Sequence, residues 1–284
     1  MNICRFTPGE GLPCVGLVEK NRVLDLSAVG AVSLTAILDA RDPAGVVRRL
    51  RAKHPPARKF SAVRLLPPIE RHEVWAAGVT YQRSKAARMD ESDFSARAYL
   101  HVYEAPRPEI FFKAIPERVV GPGDAVGIRR DATWNVPEPE LALVFNARGR
   151  LVGCTIGNDM SSRDIEGENL LYLPQAKVYD RSCALGPWIT LEPDEKRIRR
   201  WTIALEIRRR GKVVFRGRTP VDRIKRSLAS LGKWLHRSQT FPHGAVLLTG
   251  TGIVPPESFT LRRDDVVTIG ISGIGTLENP VVPV

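Results

Sequence analysis

The stretch that decides the fold is residues 134–188, WNVPEPELALVFNARGRLVGCTIGNDMSSRDIEGENLLYLPQAKVYDRSCALGPW. Glu138 and Glu140 stand two residues apart, at the start of an apolar run that is too short for a helix and predicts a strand. Side chains two apart on a strand share a face, so both carboxylates project the same way, about 6–7 Å apart at the backbone. Asp159 ends a second strand-like run. A turn at residues 146–149 would form a hairpin and bring Asp159 beside the start of the first strand.

Three carboxylates at one end of a hairpin have two interpretations. Like charges this close repel each other, and they tend to hold a proton unless a cation lies between them. Hard oxygen ligands suit Mg²⁺, Mn²⁺ or Ca²⁺, and do not suit Zn²⁺ or copper. The alternative is an ordinary solvated strand face, and the residues alone leave both interpretations open.

The composition is that of a globular protein without a membrane span. The 284 residues are 43% hydrophobic and 26% charged, and they contain no apolar run of 18 residues. The first residues, MNICRFTPGEGLPC, lack the basic and apolar regions of a signal peptide. The four cysteines have neither C-x-x-C spacing nor a neighbouring histidine, which favours free thiols in a reducing compartment. We therefore expect a cytoplasmic protein without membrane contact.

The formal net charge of +12 raises the question of a nucleic-acid partner. The basic residues are scattered along the chain, however, and none of them forms a helix-turn-helix, a zinc finger or a ribonucleoprotein aromatic motif. We expect a solvated basic surface that attracts small anionic substrates, and no binding of nucleic acid.

The chain divides into a small N-terminal α/β module, residues 1–61, and a main domain, residues 62–284. The N-terminal module is predicted to contain a hairpin around residues 19–22 and two short helices within residues 33–53. The main domain is predicted to be rich in strands, among them residues 74–79 and 108–113.

Further elements of the main domain follow the same patterns. A hairpin is predicted over residues 201–216, and an amphipathic helix over residues 221–237. The strands at residues 265–271 and 275–282 are expected to close the sheet. Residues 89–106 are polar and form a candidate lid.

Two places outside the carboxylate stretch are candidates for chemistry. Residues 80–88 read as a strand-to-helix transition whose hydroxyl and basic side chains would favour an anion, or as a plain helix cap with a solvated face. Glu109 lies among apolar neighbours, where partial burial would raise its pKa and suit a general base. Its alternative role is a structural ion pair with Arg107 or Lys113. The candidate substrate contacts within residues 80–88 are Thr80, Tyr81, Arg83 and Ser84.

The chain resembles the fumarylacetoacetate hydrolase superfamily over roughly residues 62–284. The motifs that carry the resemblance are PEPELALV, GNDMSSRD and QAKVYDRSCALGPW, supported by LLPPIERHEVWAAGVTY, PEIFFKA and VLLTGTG. The resemblance implies an α+β, β-rich fold of the mixed β-sandwich or roll type, and a homodimer or homotetramer. It also implies an ion of Mg²⁺, with Mn²⁺ or Ca²⁺ as substitutes. The implied metal ligands are Glu138, Glu140 and Asp159, with Lys177 facing metal and substrate and Thr251 in the substrate pocket.

The sequence departs from the namesake hydrolases at one position that matters for mechanism. Those enzymes have a histidine a few residues after the motif that matches GVTY, and it activates water. Here Ser84 and Ala87 stand in the matching places, and no histidine occurs between His72 and His101. A serine without a base cannot deprotonate water usefully near neutral pH, so hydrolysis of carbon–carbon bonds is disfavoured.

Three stretches, GVTYQRS, PEIFFKA with its glutamate, and NDMSSRDIEGENLLYLPQAKVYDRSCALGP, are similar to the 2-keto-3-deoxy-D-arabinonate dehydratase branch of the superfamily. That resemblance implies a Mg²⁺-dependent hydro-lyase of pentose catabolism, which takes an anionic 2-oxo acid and forms 2,5-dioxopentanoate. Glu109 would be the base, and Lys177 would stabilise the negative charge that develops on the substrate. The alternative is a carbon–carbon hydrolase or decarboxylase of an acylpyruvate-type 2-oxo acid on the same metal site.

Overall fold

The structure is a computed structural model that describes residues 1–9, 11–81 and 101–284. Strands dominate these residues, and the helices are short. The predicted α+β, β-rich class is confirmed. Among the described residues, no helix is both long and apolar enough to cross a membrane.

The N-terminal residues form the predicted hairpin and the two predicted helices. Helix α1 begins after Ser33, whose hydroxyl accepts a hydrogen bond from the Ala36 amide. Helix α2 begins with Pro43 after the capping side chain of Asp42. The elements are β1 (Asn2–Thr7), β2 (Cys14–Glu19), β3 (Arg22–Asp25), α1 (Leu34–Leu38), α2 (Pro43–Arg51), β4 (Ala57–Lys59) and β5 (Arg64–Leu66).

These N-terminal strands continue the main sheet. Its other members are β6 (Glu73–Gly78), β7 (Glu109–Ala114), β8 (Val119–Val120), β11 (Pro139–Phe145), β12 (Leu151–Asp159), β14 (Cys183–Leu191) and β17 (Ala245–Leu248). The order is β4-β3-β2-β1-β14-β12-β11-β17-β6-β7, with β5 on β1 and β8 on β14. Strand β1 pairs with β14, Asn2 opposite Thr190. Hydrogen bonds of one sheet therefore join the two sides of the predicted domain boundary after residue 61. The boundary itself stays a prediction.

The hairpin of β11 and β12 has the expected register. Pro139 lies opposite Asn158, and Glu140 opposite Gly157. One residue further, the Asp159 amide donates to the Glu138 carbonyl at 3.0 Å. This pairing brings the end of β12 beside the start of β11, as the turn at residues 146–149 predicted.

A second sheet contains β9 (Val126–Ile128), β15 (Thr202–Arg209), β16 (Lys212–Pro220), β18 (Val266–Ile271) and β19 (Gly275–Pro283). The order of its strands is β16-β15-β18-β19-β9. The expectation that the last two strands close the main sheet is wrong. Burial alternates along β18, so its pattern marks one face for a core but does not say which strands pair with it.

The main core lies between the two sheets. Leu141 and Leu143 of β11 share a cluster with Ile203, Leu205 and Ile269 of the second sheet. The alternate β11 residues, Ala142 and Val144, belong to the cluster on the other face, together with the helices α1 and α2. Both faces of β11 are thus covered, which explains its uninterrupted apolar sequence.

The remaining elements are short. They are β10 (Asn135–Val136), β13 (Ser161–Ser162), α3 (Arg163–Glu168), α4 (Leu173–Lys177), α5 (Glu195–Ile198) and α6 (Leu228–Leu235). Helix α6 is shorter than the predicted span of 221–237. Residues Val221–Arg223 form a separate 3₁₀ turn, and the Ser227 hydroxyl caps the helix by accepting from the Ser230 amide.

Candidate active site

The three predicted metal ligands form one buried cluster. Glu138 lies directly before β11, Glu140 is on that strand, and Asp159 ends β12. One oxygen from each carboxylate lies within 4.8 Å of the other two. The three residues are between 1% and 3% exposed, which excludes the solvated-face interpretation.

Lys177 lies against this cluster from the last residue of α4. Its Nζ is 2.8 Å from Glu138 Oε2 and 3.2 Å from Asp159 Oδ2, and it donates to Ser161 Oγ at 2.6 Å. The lysine itself is buried. The structure therefore places this amine on the carboxylates that the sequence assigned to the metal.

Two further cations complete the cluster, and sequence reasoning missed both. The Lys113 amine is wholly buried, lies 2.5 Å from Asp159 Oδ1, and donates to the Met160 carbonyl at 2.9 Å. Arg163, at the start of α3, donates through Nη2 to Glu138 Oε1 at 2.7 Å. Strand alternation did not place Lys113, because the register of β6 and β7 shifts between Val74 and Trp75 and so interrupts the alternation between Glu109 and Lys113. No periodic signal marked Arg163.

Glu140 is held differently, by the backbone of the turn after β17. The Gly250 amide donates to Glu140 Oε2 at 2.5 Å. Burial raises the pKa of Glu140 well above its ordinary value, and the charges of Asp159 and Glu138 raise it further. A divalent cation between the three carboxylates would relieve this repulsion, and their oxygens are the donors that Mg²⁺ prefers. The residues present therefore fit such an ion.

A small pocket lies beside the cluster, with a cavity volume of about 10 Å³. Its walls come from the end of β6, from β7 and from the turn after β17. Besides the three carboxylates, Arg163 and Lys177, it is lined by Ala77, Gly78, Val79, Phe111, Gly250 and Thr251.

Glu109 lies over Gly78, a residue that lines this pocket. It is the first residue of β7 and pairs with Gly78 on β6. A Cβ at Gly78 would fall 1.9 Å from Glu109 Oε2, so the carboxylate occupies the space directly over that glycine. Glu109 is half-buried, and Lys113, one of its two candidate ion-pair partners, contacts Asp159 instead.

The other predicted substrate contacts fall into three groups. Thr251 lines the pocket, and its hydroxyl accepts from the Ile253 amide at 3.2 Å. Thr80 and Tyr81 are buried behind the wall, where the Thr80 hydroxyl donates to the Thr249 carbonyl at 2.6 Å. They stay predictions as substrate contacts. Arg83, Ser84 and most of the candidate lid lie outside the described residues.

Comparison with protein-family models identifies one match. The model of the fumarylacetoacetate (FAA) hydrolase C-terminal region matches residues 73–282, well over half of the chain. The chain belongs to the fumarylacetoacetate hydrolase family.

Two curated relatives are named as dehydratases. A probable 2-keto-3-deoxyxylonate dehydratase of Haloferax volcanii is 50% identical over 217 residues, which are 76% of this chain and 74% of the relative. The 2-dehydro-3-deoxy-D-arabinonate dehydratase of Saccharolobus solfataricus is 42% identical over 226 residues, 78% of this chain and 76% of the relative.

A solved structure supports the same branch. It is a 2-keto-3-deoxy-D-arabinonate dehydratase complexed with magnesium and 2,5-dioxopentanoate, with a TM-score of 0.82 and 33% identity over 100% of this chain and 99% of that one. These comparisons confirm the predicted superfamily and its dehydratase branch, and with them the class of metal-dependent hydro-lyase.

Proposed function

We propose that the protein is a Mg²⁺-dependent dehydratase of a 2-keto-3-deoxy pentonate, and that it forms 2,5-dioxopentanoate in the breakdown of pentoses. The observation that carries this proposal is the arrangement of the pocket. Three buried carboxylates that fit a divalent ion line the pocket, and the carboxylate of Glu109 lies over Gly78, another of its lining residues. The names of the similar dehydratases supply the reaction class.

Glu138, Glu140 and Asp159 would hold the ion. When bound, it would polarise the keto group of a 2-oxo acid and make the protons on the neighbouring C3 more acidic. The buried position of the three ligands keeps bulk water away from this group.

Glu109 is the base that takes a proton from C3. It stands on a strand whose pairing with Gly78 fixes its position, and the glycine leaves room for the carboxylate over the pocket wall. A carboxylate in this place can act as a general base for a carbon-bound proton.

Lys177 stabilises the negative charge that develops on the substrate as the C3 proton leaves. Its amine is already inside the pocket, against Glu138 and Asp159, and so needs no reorganisation from solvent. The C3 proton and the C4 hydroxyl leave together as one water molecule. A proton then moves from C5 to C3, which leaves an enol between C4 and C5. The hydroxyl proton of this enol moves to C4 and gives the C5 aldehyde, so that only water is lost.

The charge of the cluster suits an anionic substrate. Three buried cations, Lys113, Arg163 and Lys177, contact the carboxylate cluster, which is therefore formally neutral before any ion binds. A divalent ion would make it positive, and a 2-oxo acid carries one negative charge. Binding of such an acid is thus favoured without help from the scattered surface arginines.

The test is a panel of 2-keto-3-deoxy pentonates and acylpyruvates, each with Mg²⁺ and with EDTA. We expect Mg²⁺-dependent formation of the semialdehyde from at least one pentonate, followed through a coupled semialdehyde dehydrogenase. Cleavage of acylpyruvates without dehydration of any pentonate would replace the proposal by the carbon–carbon hydrolase or decarboxylase. Activity with Mn²⁺ and Ca²⁺ in the same panel tests the proposed metal substitutes.

The role of Glu109 is tested by Glu109→Gln, which keeps the shape but removes the base. Loss of a general base typically costs about 10²–10⁴-fold in rate, so kcat should fall in that range while metal affinity stays unchanged. The matched control is Glu73→Gln, at the first position of β6, whose carboxylate accepts from the Trp75 indole. An active Glu109→Gln variant would remove this residue from the mechanism.

The assembly and the location of the protein stay predictions. We propose a homodimer or homotetramer in the cytoplasm, with no nucleic-acid partner. Analytical ultracentrifugation at low and high salt tests the assembly, and a titration with duplex DNA tests the partner.

A further inference from the structure

The tripeptide Ile224–Lys225–Arg226, here called the strap, joins the 3₁₀ turn Val221–Arg223 to helix α6. On one side it contacts the end of the pocket wall. The Lys225 amide donates to the Thr80 carbonyl at 3.0 Å, and Tyr81 forms an antiparallel bridge with Ile224. The strap is therefore attached to the chain two residues beyond Gly78.

On its other side the strap contacts the residues that lead into β7. Residues 101–104 are helical, and the Arg226 guanidinium binds the carbonyls that this turn leaves without helical partners. Its contacts are the carbonyls of Val102 at 3.0 Å, Ala105 at 2.7 Å, Pro106 at 3.0 Å and, more weakly, Arg107 at 3.4 Å. The Lys225 amine adds bonds to the Tyr103 carbonyl at 2.8 Å and to Glu104 Oε2 at 2.7 Å.

The strap is itself fixed from the side of α5. Arg199 donates to the Ile224 carbonyl at 3.1 Å and to the Arg226 carbonyl at 2.9 Å. Glu195 accepts from Arg199 Nε at 2.9 Å and from the Leu228 amide at 3.1 Å. The position of the Arg226 side chain thus rests on the body of the protein.

The two stretches that the strap holds meet at the active site. Val79, between Gly78 and Thr80, has φ 52°, a left-handed conformation that is strained for a β-branched residue and persists only when its surroundings hold it. The other stretch ends at Arg107, two residues before Glu109. Because Gly78 and Glu109 pair across β6 and β7, both flanks of this pair are tied to the strap.

We propose that Arg226, assisted by Lys225, is a positioning residue for Glu109. It binds the backbone carbonyls just before β7 and so fixes where that strand begins relative to Gly78 and the pocket. This inference rests on the proposed function, since it assigns Arg226 a role through the base. Arg226 itself lies outside the pocket lining and touches no metal ligand among the described contacts.

The primary test is Arg226→Ala in the Mg²⁺-loaded protein. A misplacement of about 1 Å at a reacting group can cost about 10²-fold in rate, so we expect kcat to fall by about ten- to one-hundred-fold. KM and the affinity for Mn²⁺, used as a magnesium probe, should change less than twofold. Arg226→Lys keeps a donor for one or two of the carbonyls and should recover part of the loss.

A matched control separates positioning from a general effect of lost charge. Arg223→Ala removes an exposed arginine three residues away and should leave kcat unchanged. Full activity of Arg226→Ala, or an equal loss in Arg223→Ala, would overturn the proposal.

A double variant shows whether Arg226 acts through Glu109. If it does, Arg226→Ala should add no further loss of turnover to a Glu109→Gln protein, because the base is already gone. The same loss in both backgrounds would contradict the proposed route.

Hydrogen exchange tests the positioning without any substrate. Amides of residues 105–114 should exchange faster in Arg226→Ala than in the wild type, while those of the β11–β12 hairpin keep their protection. Unchanged exchange at residues 105–114 would refute the positioning role of Arg226. If the wild type had no dehydratase activity but this exchange difference were present, the proposed function would be refuted and the effect of Arg226 on the start of β7 would stand. If Arg226→Ala is insoluble, Arg226→Lys carries the same comparison.

Discussion

Replacing Lys113 by methionine should lower the free energy of unfolding of the metal-free protein by about 3 kcal/mol, because loss of one partner from a buried ion pair typically costs about 3–5 kcal/mol. The Lys113 amine is wholly buried, 2.5 Å from Asp159 Oδ1. We take the lower end of the range, since the Lys177 amine lies 3.2 Å from the other oxygen of Asp159 and remains to balance its charge. Methionine fills the volume, so little cavity energy is added.

Urea unfolding followed by fluorescence measures this loss, and Arg216→Met is the matched control. Arg216 pairs with Glu206 at 2.7 Å, but its side chain is 67% exposed, so its loss should cost less than about 1 kcal/mol. The variant Lys113→Met/Asp159→Asn removes both charges of the buried pair. It should be less destabilised than the sum of the two single variants. A loss in Lys113→Met no larger than that in Arg216→Met would refute the reasoning.

Three other outcomes are expected. Gly78→Ala should lower kcat by about ten- to one-hundred-fold with metal affinity intact, because the new Cβ would lie 1.9 Å from Glu109 Oε2; Gly270→Ala, whose Cβ meets nothing closer than 3.9 Å, should be unaffected. Burial lowers the pKa of His72 to about 4, so the unfolded state binds a proton at a higher pH than the folded state does. The free energy of unfolding should therefore fall by up to about 3 kcal/mol as the pH drops from about 6.5 to 4. Urea titrations should show a smaller fall for His72→Leu, and equal falls in the two proteins would contradict this assignment. Glu138→Ala should abolish the rise in Tm that Mg²⁺ gives the wild type, and a persisting rise would remove this residue from the metal site.

The part of the site that sequence could predict is the part that follows from strand geometry. Period-two alternation puts Glu138 and Glu140 on one face, and a short turn returns Asp159 to their side. These are relations between residues close in sequence, and the structure shows the three carboxylates together. The same alternation fails for Lys113, because the register of β7 on β6 shifts between Glu109 and this lysine, and such a bulge is not visible in the pattern of apolar residues.

Contacts between distant residues could not be predicted in this way. The Arg226 guanidinium meets carbonyls more than 115 residues earlier in the chain, and β1 pairs with β14 across almost 190 residues. Nothing in the local pattern of either partner specifies the other, since any exposed carbonyl accepts an arginine and any apolar strand can pair. The assignment of β18 and β19 to the wrong sheet has the same origin.

The position of the base supports dehydration over hydrolysis on physical grounds. Hydrolysis of a carbon–carbon bond needs a water molecule and a group that deprotonates it, and the histidine that does so in the namesake hydrolases is missing between His72 and His101. Removal of water needs a base for a carbon-bound proton and no incoming water. A carboxylate fixed by strand pairing over Gly78, beside a pocket walled by buried ion pairs, meets that need. In the proposed mechanism, a base on the rigid sheet takes the place of the water-activating histidine, and the proposed strap and the pairing of β6 with β7 fix the position of that base.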